Sequence, residues 1–248
     1  MNQRVALVTG GGRGIGREAA LLLSAAGVRV MVAARTANEL ASVGVEYVAA
    51  DLGTAEGCAL AVAETERRLG PIDLLVVNHG IGSAHEKLVW EQDPAVWRET
   101  MRINLDGPFE LARLTVGGMC KRGFGRVVFT SSTAGEKAER SGSAYTASKH
   151  GLIGLARAVA QDAGPFGVTS NAVLPGWVRT EMAERSAKTE SERRGISVDQ
   201  VWRERAAMYP PNRVLEPREV AQVIAFLCSD AAGGVNGEAV TVALGGLW

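Results

Sequence analysis

The sequence predicts a single α/β domain, residues 1–248, built on a doubly wound parallel sheet of about seven strands. Short apolar runs that suit β-strands alternate along the chain with segments whose apolar residues recur at helical spacing. One run, PIDLLVVNHG at residues 71–80, is apolar nearly throughout, as expected of a parallel strand covered on both faces. Because no linker or repeat interrupts this order, we expect one domain whose ligand lies beyond the carboxyl ends of the strands.

The charges of the chain balance, since 27 basic and 27 acidic residues give a net charge of zero without any run of Lys or Arg. We therefore expect no binding of nucleic acid or of an anionic membrane surface. No apolar run approaches the ~18 residues that span a membrane, and the N-terminus lacks a signal-peptide pattern, which predicts a cytoplasmic protein. Cys58, Cys120 and Cys228 lack metal-binding spacing, so we expect small core residues and no metal site.

A glycine-rich turn, GGGRGIG, follows the first predicted strand, VALVTG, and opens the helix REAALLLSAAG. Glycines let the backbone approach a phosphate, and the free N–H groups of a helix N-terminus attract an anion. A glycine cluster alone also suits a plain tight turn, but the flanking strand and helix favour a dinucleotide. The predicted cofactor-binding residues of this turn are Gly10, Gly12, Arg13, Gly14, Ile15 and Gly16.

The second strand, VRVMVAA, leads into Arg35, about 20 residues after the turn, where an NAD-binding protein places an acid on the ribose hydroxyls. Arg35 and Arg13 can instead converge on a 2′-phosphate, because guanidinium groups bind phosphate in a bidentate manner. This favours NADP(H) as cofactor, with NAD(H) possible. The alternative is that either arginine is a solvated surface residue.

The third strand, VEYVAADL, brings Asp51 and Leu52 to its carboxyl end, and the fourth ends in a turn with Asn78 and Gly80. A long helical region at about residues 93–122 follows. Asn104 lies within it, close to Gly107 and Pro108, and this poorly helix-forming stretch predicts a local kink.

Tyr145 and Lys149 are four residues apart in a helical pattern, so one helix face carries both side chains. A fixed cation beside a phenol favours the phenolate, which moves its pKa towards values useful for acid/base chemistry. Ser132 comes from the end of strand five, RVVFTSS, and together the three can hold and protonate a carbonyl oxygen. The alternative for the Tyr–Lys pair is a plain surface contact.

Strand six, VTSNAVLPG, ends at Pro175 and Gly176, after which a charged helical insertion at about residues 177–212 precedes the last helix and strand. This segment is predicted to be a lid over the site, and its alternative is an ordinary solvated helix pair. The candidate substrate contacts in it are Trp177, Met182, Trp202 and Met208.

These motifs jointly resemble the short-chain dehydrogenase/reductases over the whole chain. The matching residues, in the family's order, are Thr9–Gly16, Asp51–Leu52, Asn78–Gly80, Asn104, Ser132, Tyr145, Lys149 and Pro175–Gly176. The resemblance implies a single-domain Rossmann-fold oxidoreductase that forms a homotetramer or homodimer.

The resemblance also implies roles for these residues. Tyr145 would be the acid/base, and Ser132 would orient the carbonyl. Lys149 would hold the nicotinamide ribose and lower the Tyr145 pKa, while Asn104 would keep a water in the proton relay. The cofactor contacts it implies are Gly10, Gly14 and Gly16 at the pyrophosphate, Asp51 and Leu52 at the adenine, Asn78 and Gly80 at its ribose, and Val178 and Thr180 at the carboxamide.

Two positions differ from the family's usual sequence. His79 replaces the alanine of the Asn-Ala-Gly turn, which we interpret as a packing variant rather than a new catalyst. The helix after strand two, TANELASVG, is short, which trims the rim of the adenine pocket.

The sequence accordingly predicts NADP(H)-dependent reduction of a 3-ketoacyl or polyketide-like ketone to a secondary alcohol. The lid and tail are similar to those of polyketide and fatty-acyl ketoreductases and also to those of 3-hydroxybutyrate dehydrogenases. The latter hold a carboxylate with a Gln and a Lys where this chain has Gly82 and Ser143, which favours a neutral, bulkier ketone.

Three alternatives stay open. One is a 3-hydroxybutyrate-like or other small-alcohol dehydrogenase that uses NAD(P). Another is a carrier-bound substrate that meets a basic patch of the lid, for which the candidates are Arg185, Lys188, Arg193 and Arg194. The third is a dinucleotide sensor without catalysis, although such proteins typically lack the Tyr or the Lys.

Overall fold

A computed structural model describes residues 3–83, 87–138 and 140–246. Strands from these residues form one parallel sheet: β1 (Val5–Thr9), β2 (Arg29–Ala34), β3 (Glu46–Ala49), β4 (Leu74–Val77), β5 (Gly125–Thr130), β6 (Val168–Pro175) and β7 (Ala239–Val242). Their order across the sheet is β3-β2-β1-β4-β5-β6-β7, which confirms the predicted doubly wound fold. The chain direction across the sheet reverses between β1 and β4, the place where this fold binds ligands.

Helices connect the strands and cover both faces of the sheet. They are α1 (Gly14–Ala25), α2 (Ala37–Ala41), α3 (Ala55–Leu69), α4 (Pro94–Met101), α5 (Gly107–Arg122), α6 (Ser143–Ala163), α7 (Glu181–Arg194), α8 (Val198–Ala207) and α9 (Pro217–Leu227). Their ends follow from local sequence: Thr54, for example, accepts a hydrogen bond from the Gly57 N–H and so caps α3. Gly123 ends α5 in the left-handed conformation that favours glycine.

The sheet separates two hydrophobic cores because successive side chains of a strand point to opposite faces. On β1, Leu7 packs into the core beneath α3, α5 and α6, whereas Ala6 and Val8 pack into the core beneath α1 and α9. Cys58 and Cys228 are buried in these cores, as predicted, and burial raises the pKa of each thiol to about 12. Cys120 is half-buried at the first core.

The helical region predicted for residues 93–122 is divided into two helices. A π-helical turn, Arg102–Asp106, joins α4 to α5, and it confirms the kink predicted at Asn104. The wider turn buries Ile103 and Asn104 against the sheet edge. Gly107 then packs directly on the Leu52 carbonyl group at the end of the β3 segment.

Residues 177–212, the predicted lid, contain α7 and α8 and have a small core of their own. The buried residues of this cluster from the segment include Ala187, Val201, Trp202 and Tyr209. Val214, just after the segment, and Ala243, near the end of the chain, pack with them. Thr180 and Ser197 cap the two helices through their hydroxyl groups. The segment is thus a folded layer beside the sheet edge rather than an isolated pair of solvated helices.

Across the described parts of the chain, the helices fall short of the length and apolarity that a membrane crossing requires.

Gly107→Ala should destabilise the protein by about 2 kcal/mol or more, because the added Cβ would overlap the Leu52 carbonyl oxygen. Gly117→Ala in the same helix is the control: nothing lies within 4 Å of its added Cβ, so the substitution should stabilise α5 by up to about 1 kcal/mol. Urea unfolding of both variants measures this. Equal stability of the two variants would contradict the close packing at Gly107.

Candidate active site

A cavity of about 760 Å³ opens at the carboxyl edge of the sheet and extends from Arg35 to the face of α7. It brings together residues from the glycine turn, from the ends of five strands and from the residue 177–212 segment. Every site residue predicted from the sequence lines this cavity except four, which are Gly16, Asn104, Trp202 and Met208.

The glycine turn forms one wall of the cavity. Gly10 and Gly14 have φ values of +62° and +53°, a conformation that other residues rarely adopt. Gly16 does not line the cavity as expected, because it faces inward and a Cβ there would overlap the Gly10 carbonyl and approach the Asn78 side chain at 2.6 Å. Its physical role is therefore the close packing of α1 against β1 and β4.

Thr9, at the end of β1, holds the neighbouring turn after β4. Its hydroxyl oxygen accepts from the Asn78 N–H at 3.0 Å and lies 2.8 Å from His79 Nδ1. Asn78 Nδ2 in turn donates to the Gly10 carbonyl at 3.4 Å. These contacts fix the glycine turn and the Asn78–Gly80 turn as one unit.

His79 lines the cavity, but its Nε2 is buried, and the absence of a side chain at Gly107 leaves room for the ring. Nε2 has no hydrogen-bond partner among the described residues. Burial, reinforced by the positive charge of Lys149, lowers the His79 pKa to about 4, although Asp51 and the Leu52 and Ile103 carbonyls act in the opposite direction. The imidazole is therefore neutral near pH 7, in keeping with a packing role.

Asn104 lies just behind the cavity rather than in its lining. Its side-chain oxygen accepts from the Ile81 N–H at 2.8 Å, and its Nδ2 donates to the Ile81 carbonyl at 2.9 Å and to Ser148 at 3.2 Å. Ser148 donates to the Tyr145 carbonyl at 2.7 Å. Asn104 thus ties the cavity wall at Ile81 to the helix that carries Tyr145 and Lys149.

Lys149 is a buried cation, with 5% of its surface exposed. Its Nζ donates to the Thr130 carbonyl at 2.9 Å and lies 5.6 Å from the centroid of the Tyr145 ring. Burial lowers its pKa to about 8. The ammonium therefore keeps its charge at neutral pH and faces the cavity beside the phenol.

Ser132 follows β5 and also faces this cavity. Its Oγ accepts from the Ala134 N–H at 3.1 Å, which caps the short turn after the strand. The neighbouring Ser131 donates instead to the Lys149 carbonyl at 2.8 Å and thereby joins β5 to α6. Ser132, Tyr145 and Lys149 are in this way presented to one space.

Asp51 lines the far end of the cavity. Burial opposes its ionisation, but the hydrogen bond from Gly53 and the guanidinium of Arg102 hold the Asp51 pKa below its usual value. Arg102 Nη1 lies 3.3 Å from Asp51 and also pairs with Glu99. Arg102 belongs to the π-helical turn, and nothing in the sequence pattern identifies it.

Arg13 and Arg35 both line the cavity, as predicted for a 2′-phosphate site. Arg13 is not free, because its Nη1 lies 3.1 Å from Glu39 and 2.8 Å from Glu181. Glu39 also lines the cavity, and it was not among the predicted site residues. Its position in a short helix, four residues after Arg35, is the signal that could have identified it. Arg35 is exposed as well, and no ion pair with it is found among the described residues.

The candidate substrate contacts divide into two groups. Trp177 and Met182 line the cavity, and Met182 Sδ lies 3.5 Å from the position of a Cβ on Gly82. Trp202 instead lies in the core of the residue 177–212 segment, where its indole N–H donates to Glu184 at 2.9 Å. Met208 is 48% exposed and lies outside the lining, so the expectation of a substrate contact does not fit either Trp202 or Met208.

Further lining residues come from α7, and among them Arg185 and Lys188 are cations. Arg185 pairs with Glu181 at 3.3 Å. Arg193 and Arg194 lie outside the lining, and Arg194 pairs with Glu190 and Glu204. No group of three potential metal ligands occurs in the part of the chain that the structure describes.

The family model described as Enoyl-(Acyl carrier protein) reductase matches residues 10–246. The chain belongs to the short-chain dehydrogenase/reductase family. It is 36% identical to the acetoacetyl-CoA reductase of Shinella zoogloeoides over 244 residues, which cover 96% of each chain. It is 33% identical to the D-beta-hydroxybutyrate dehydrogenase of Cupriavidus necator over 247 residues, or 96% of this chain and 95% of the relative.

A crystal structure of a variant of actinorhodin polyketide ketoreductase with NADPH has the same fold. The TM-score is 0.91 at 34% identity, and the match covers 99% of this chain and 98% of that chain. This short-chain dehydrogenase/reductase is therefore an oxidoreductase that acts on hydroxyl or carbonyl groups.

His79 should make the stability of the enzyme depend on pH. Its pKa is about 4 in the fold against 6.5 in an exposed histidine, so below pH 6.5 the unfolded chain takes up a proton that the folded chain does not. The free energy of unfolding should therefore decrease as the pH falls from 6.5 towards 4, by up to about 3 kcal/mol.

Denaturant unfolding at pH 5 and pH 7.5 measures this. His79→Ala should lose most of the dependence, whereas His150→Ala, at an exposed position of α6, should retain it. A dependence unchanged by His79→Ala would show that the imidazole is not held neutral.

Proposed function

We propose that the protein reduces a ketone of the 3-ketoacyl or polyketide-like class to a secondary alcohol, with NADP(H) as cofactor. The observation that carries this proposal is the presentation of Ser132, Tyr145 and Lys149 to the same cavity as the glycine turn. A carbonyl held there would meet a hydroxyl, a phenol and a cation at one point.

Tyr145 is the proposed proton donor to the carbonyl oxygen. Ser132 Oγ already accepts from the Ala134 N–H, so its own hydrogen is available to donate to that carbonyl oxygen. The Lys149 charge stabilises the phenolate left on Tyr145, and the low polarity of its buried position strengthens this effect. Asn104 holds Ile81 and Ser148 in place beside these three side chains. Its further proposed role, which rests on the family resemblance, is to bind a water that relays the proton.

The residues of the cavity fit a dinucleotide. Gly10 and Gly14 line the cavity in the left-handed conformation, and a backbone without side chains there can be approached closely by a pyrophosphate. The proposed contacts elsewhere are Asp51, Leu52, Asn78, Gly80, Val178 and Thr180, while Pro175 and Gly176 shape the wall beside them. When bound, NADPH supplies a hydride to the carbonyl carbon.

Arg35 is the proposed partner of the 2′-phosphate. Arg13 can share that phosphate through its other guanidinium nitrogens, because its Nη1 already pairs with Glu39 at 3.1 Å and with Glu181 at 2.8 Å. The crystal structure of the ketoreductase relative with NADPH supports the same cofactor.

The second candidate is oxidation or reduction of a small acidic substrate, as in a 3-hydroxybutyrate dehydrogenase. Arg185 and Lys188 favour it, because both cations line the cavity on α7 and can face a carboxylate. Initial rates with a neutral 3-keto ester, an acyl thioester and acetoacetate distinguish the two candidates. If the main proposal holds, kcat/KM should be highest for the ester or the thioester. If the second candidate holds, kcat/KM should be highest for acetoacetate.

Residues 177–212 are proposed to cover the substrate within a single domain, with Trp177 and Met182 as contacts. The protein is further proposed to be a cytoplasmic homotetramer or homodimer. These assembly and location proposals rest on the family resemblance, and a solution mass equal to one 26.1 kDa chain would contradict the assembly.

Tyr145→Phe should lower kcat for ketone reduction by about 10²–10⁴-fold, because the phenylalanine cannot donate a proton. The NADPH dissociation constant should change by less than about twofold, since no hydrogen bond to the pyrophosphate or adenine is removed. Stopped-flow turnover and fluorescence titration measure the two quantities.

Tyr47→Phe, at the exposed edge strand β3, is the control that should leave both kcat and the NADPH dissociation constant unchanged. Near-normal turnover of Tyr145→Phe removes Tyr145 as the acid, and NADPH binding without turnover by the folded wild type favours a sensor.

Arg35→Ala should raise the KM for NADPH by about 10–100-fold and leave the KM for NADH within about threefold, because only NADPH carries the 2′-phosphate. Initial rates with both cofactors at a fixed ketone concentration check this. Arg67→Ala, an exposed arginine that pairs with Glu64 away from the cavity, is the matched control. An equal rise in both KM values would refute the 2′-phosphate contact.

A further inference from the structure

The indole of Trp177 is fixed from behind by a buried arginine. Trp177 lines the cavity, and the guanidinium carbon of Arg205 lies 3.7 Å from its ring centroid. The backbone of Trp177 is held as well, because its N–H donates to the Tyr209 hydroxyl at 2.6 Å and its carbonyl accepts from the Leu215 N–H at 3.0 Å. Both the main chain and the ring are therefore held before any substrate binds.

Arg205 is itself held rigidly by α7. It is 4% exposed, and its guanidinium donates to the Ala183 carbonyl at 3.0 Å, to Ser186 at 3.1 Å and to Glu190 at 2.9 Å. A planar guanidinium with donors spread over three acceptors has little freedom to rotate. The ring that stacks on this plane has correspondingly little freedom to tilt.

A second stacked pair in the same segment joins the buried Trp202 to the exposed Arg179. Trp202 is 5.1 Å from Arg205, and Arg179 covers Trp202 at 4.0 Å. Trp202 is not a cavity residue, and Arg179 does not line the cavity either. Arg205 is thus the residue that joins this interior cluster to the cavity wall.

We infer that Arg205 is a specificity-determining positioning residue. It holds the Trp177 indole as a rigid wall across the substrate end of the cavity and thereby excludes bulky ketones. This inference rests on the proposed ketone reduction. Arg205 does not itself line the cavity, but besides Trp177 it contacts two lining residues, Ala183 and Ser186. The inferred effect on specificity is the part that passes through Trp177.

Arg205→Met tests this, because methionine is apolar and flexible and cannot hold the ring by charge or by hydrogen bonds. Glu190 keeps a partner in this variant, since Arg194 pairs with it at 2.8 Å. The ratio of kcat/KM for an aryl ketone to kcat/KM for a small aliphatic ketone should rise about tenfold, mainly through KM, as the wall yields. The NADPH dissociation constant should stay within about twofold of the wild type.

Arg179→Met is a control for the loss of a stacked cation, because it removes the exposed Arg179 from Trp202 and leaves the Arg205–Trp177 stack in place. It should leave the ratio unchanged. Arg205→Lys keeps a cation near the ring and should recover part of the wild-type ratio. If Arg205→Met does not fold, Arg205→Lys replaces it in the experiment. Its ratio of kcat/KM for the aryl ketone to kcat/KM for the aliphatic ketone should then exceed that of the wild type.

A double-mutant cycle separates positioning from a general structural role. In a Trp177→Ala background, Arg205→Met should change the ratio by less than about twofold, since the residue through which it acts is gone. An unchanged ratio in Arg205→Met, or an equal change with and without Trp177, would overturn the inference. A wild type that reduces no ketone would instead remove the proposed function on which it rests.

Discussion

The site depends on one buried positive charge. Lys149 lies at the carboxyl edge of the sheet with a carbonyl as its hydrogen-bond acceptor, and no carboxylate of the described residues lies within salt-bridge distance of it. A cation kept out of water without a counter-ion stabilises any negative charge that develops nearby, and for the same reason its own pKa falls. The phenol of Tyr145 is the group placed beside it. The proposed role of Tyr145 as proton donor follows from this charge, which also adds to the effect of burial in lowering the His79 pKa.

The fold creates this position by bringing the ends of distant strands together. Thr9 of β1 fixes the turn after β4, Asn104 ties that wall to α6, and Ser131 after β5 fastens α6 from the other side. The parallel sheet makes this possible because all its strands end at the same edge. The proposed reductase chemistry therefore rests on backbone anchoring as much as on the side chains that face the cavity.

Much of this arrangement could be predicted from the sequence, and the limits are physical. The alternation of strands and helices, the glycine turn and the Tyr145–Lys149 face follow from local patterns, and the predicted fold class was confirmed. Gly16 was predicted to line the cavity, but it packs α1 against the glycine turn. The sequence alone does not distinguish a glycine that permits helix packing from one that contacts a phosphate. Trp202 was predicted to contact the substrate but lies in the core of the residue 177–212 segment. The spacing of aromatic residues in a sequence is the same for a cavity wall and for a buried core. Partnerships over long sequence separations, such as Arg13 with Glu181, leave no local signal.

The pKa of Lys149 in solution shows whether its ammonium is buried beside Tyr145. Nitrogen-15 NMR of the lysine ammonium groups, with Lys149 assigned by its loss in Lys149→Met, gives its pKa in the folded enzyme without cofactor. We expect a pKa of about 8 for Lys149, well below that of an ammonium in water. A midpoint above 10, as for an ammonium in water, would contradict it, because the charge beside Tyr145 would then be solvated rather than buried.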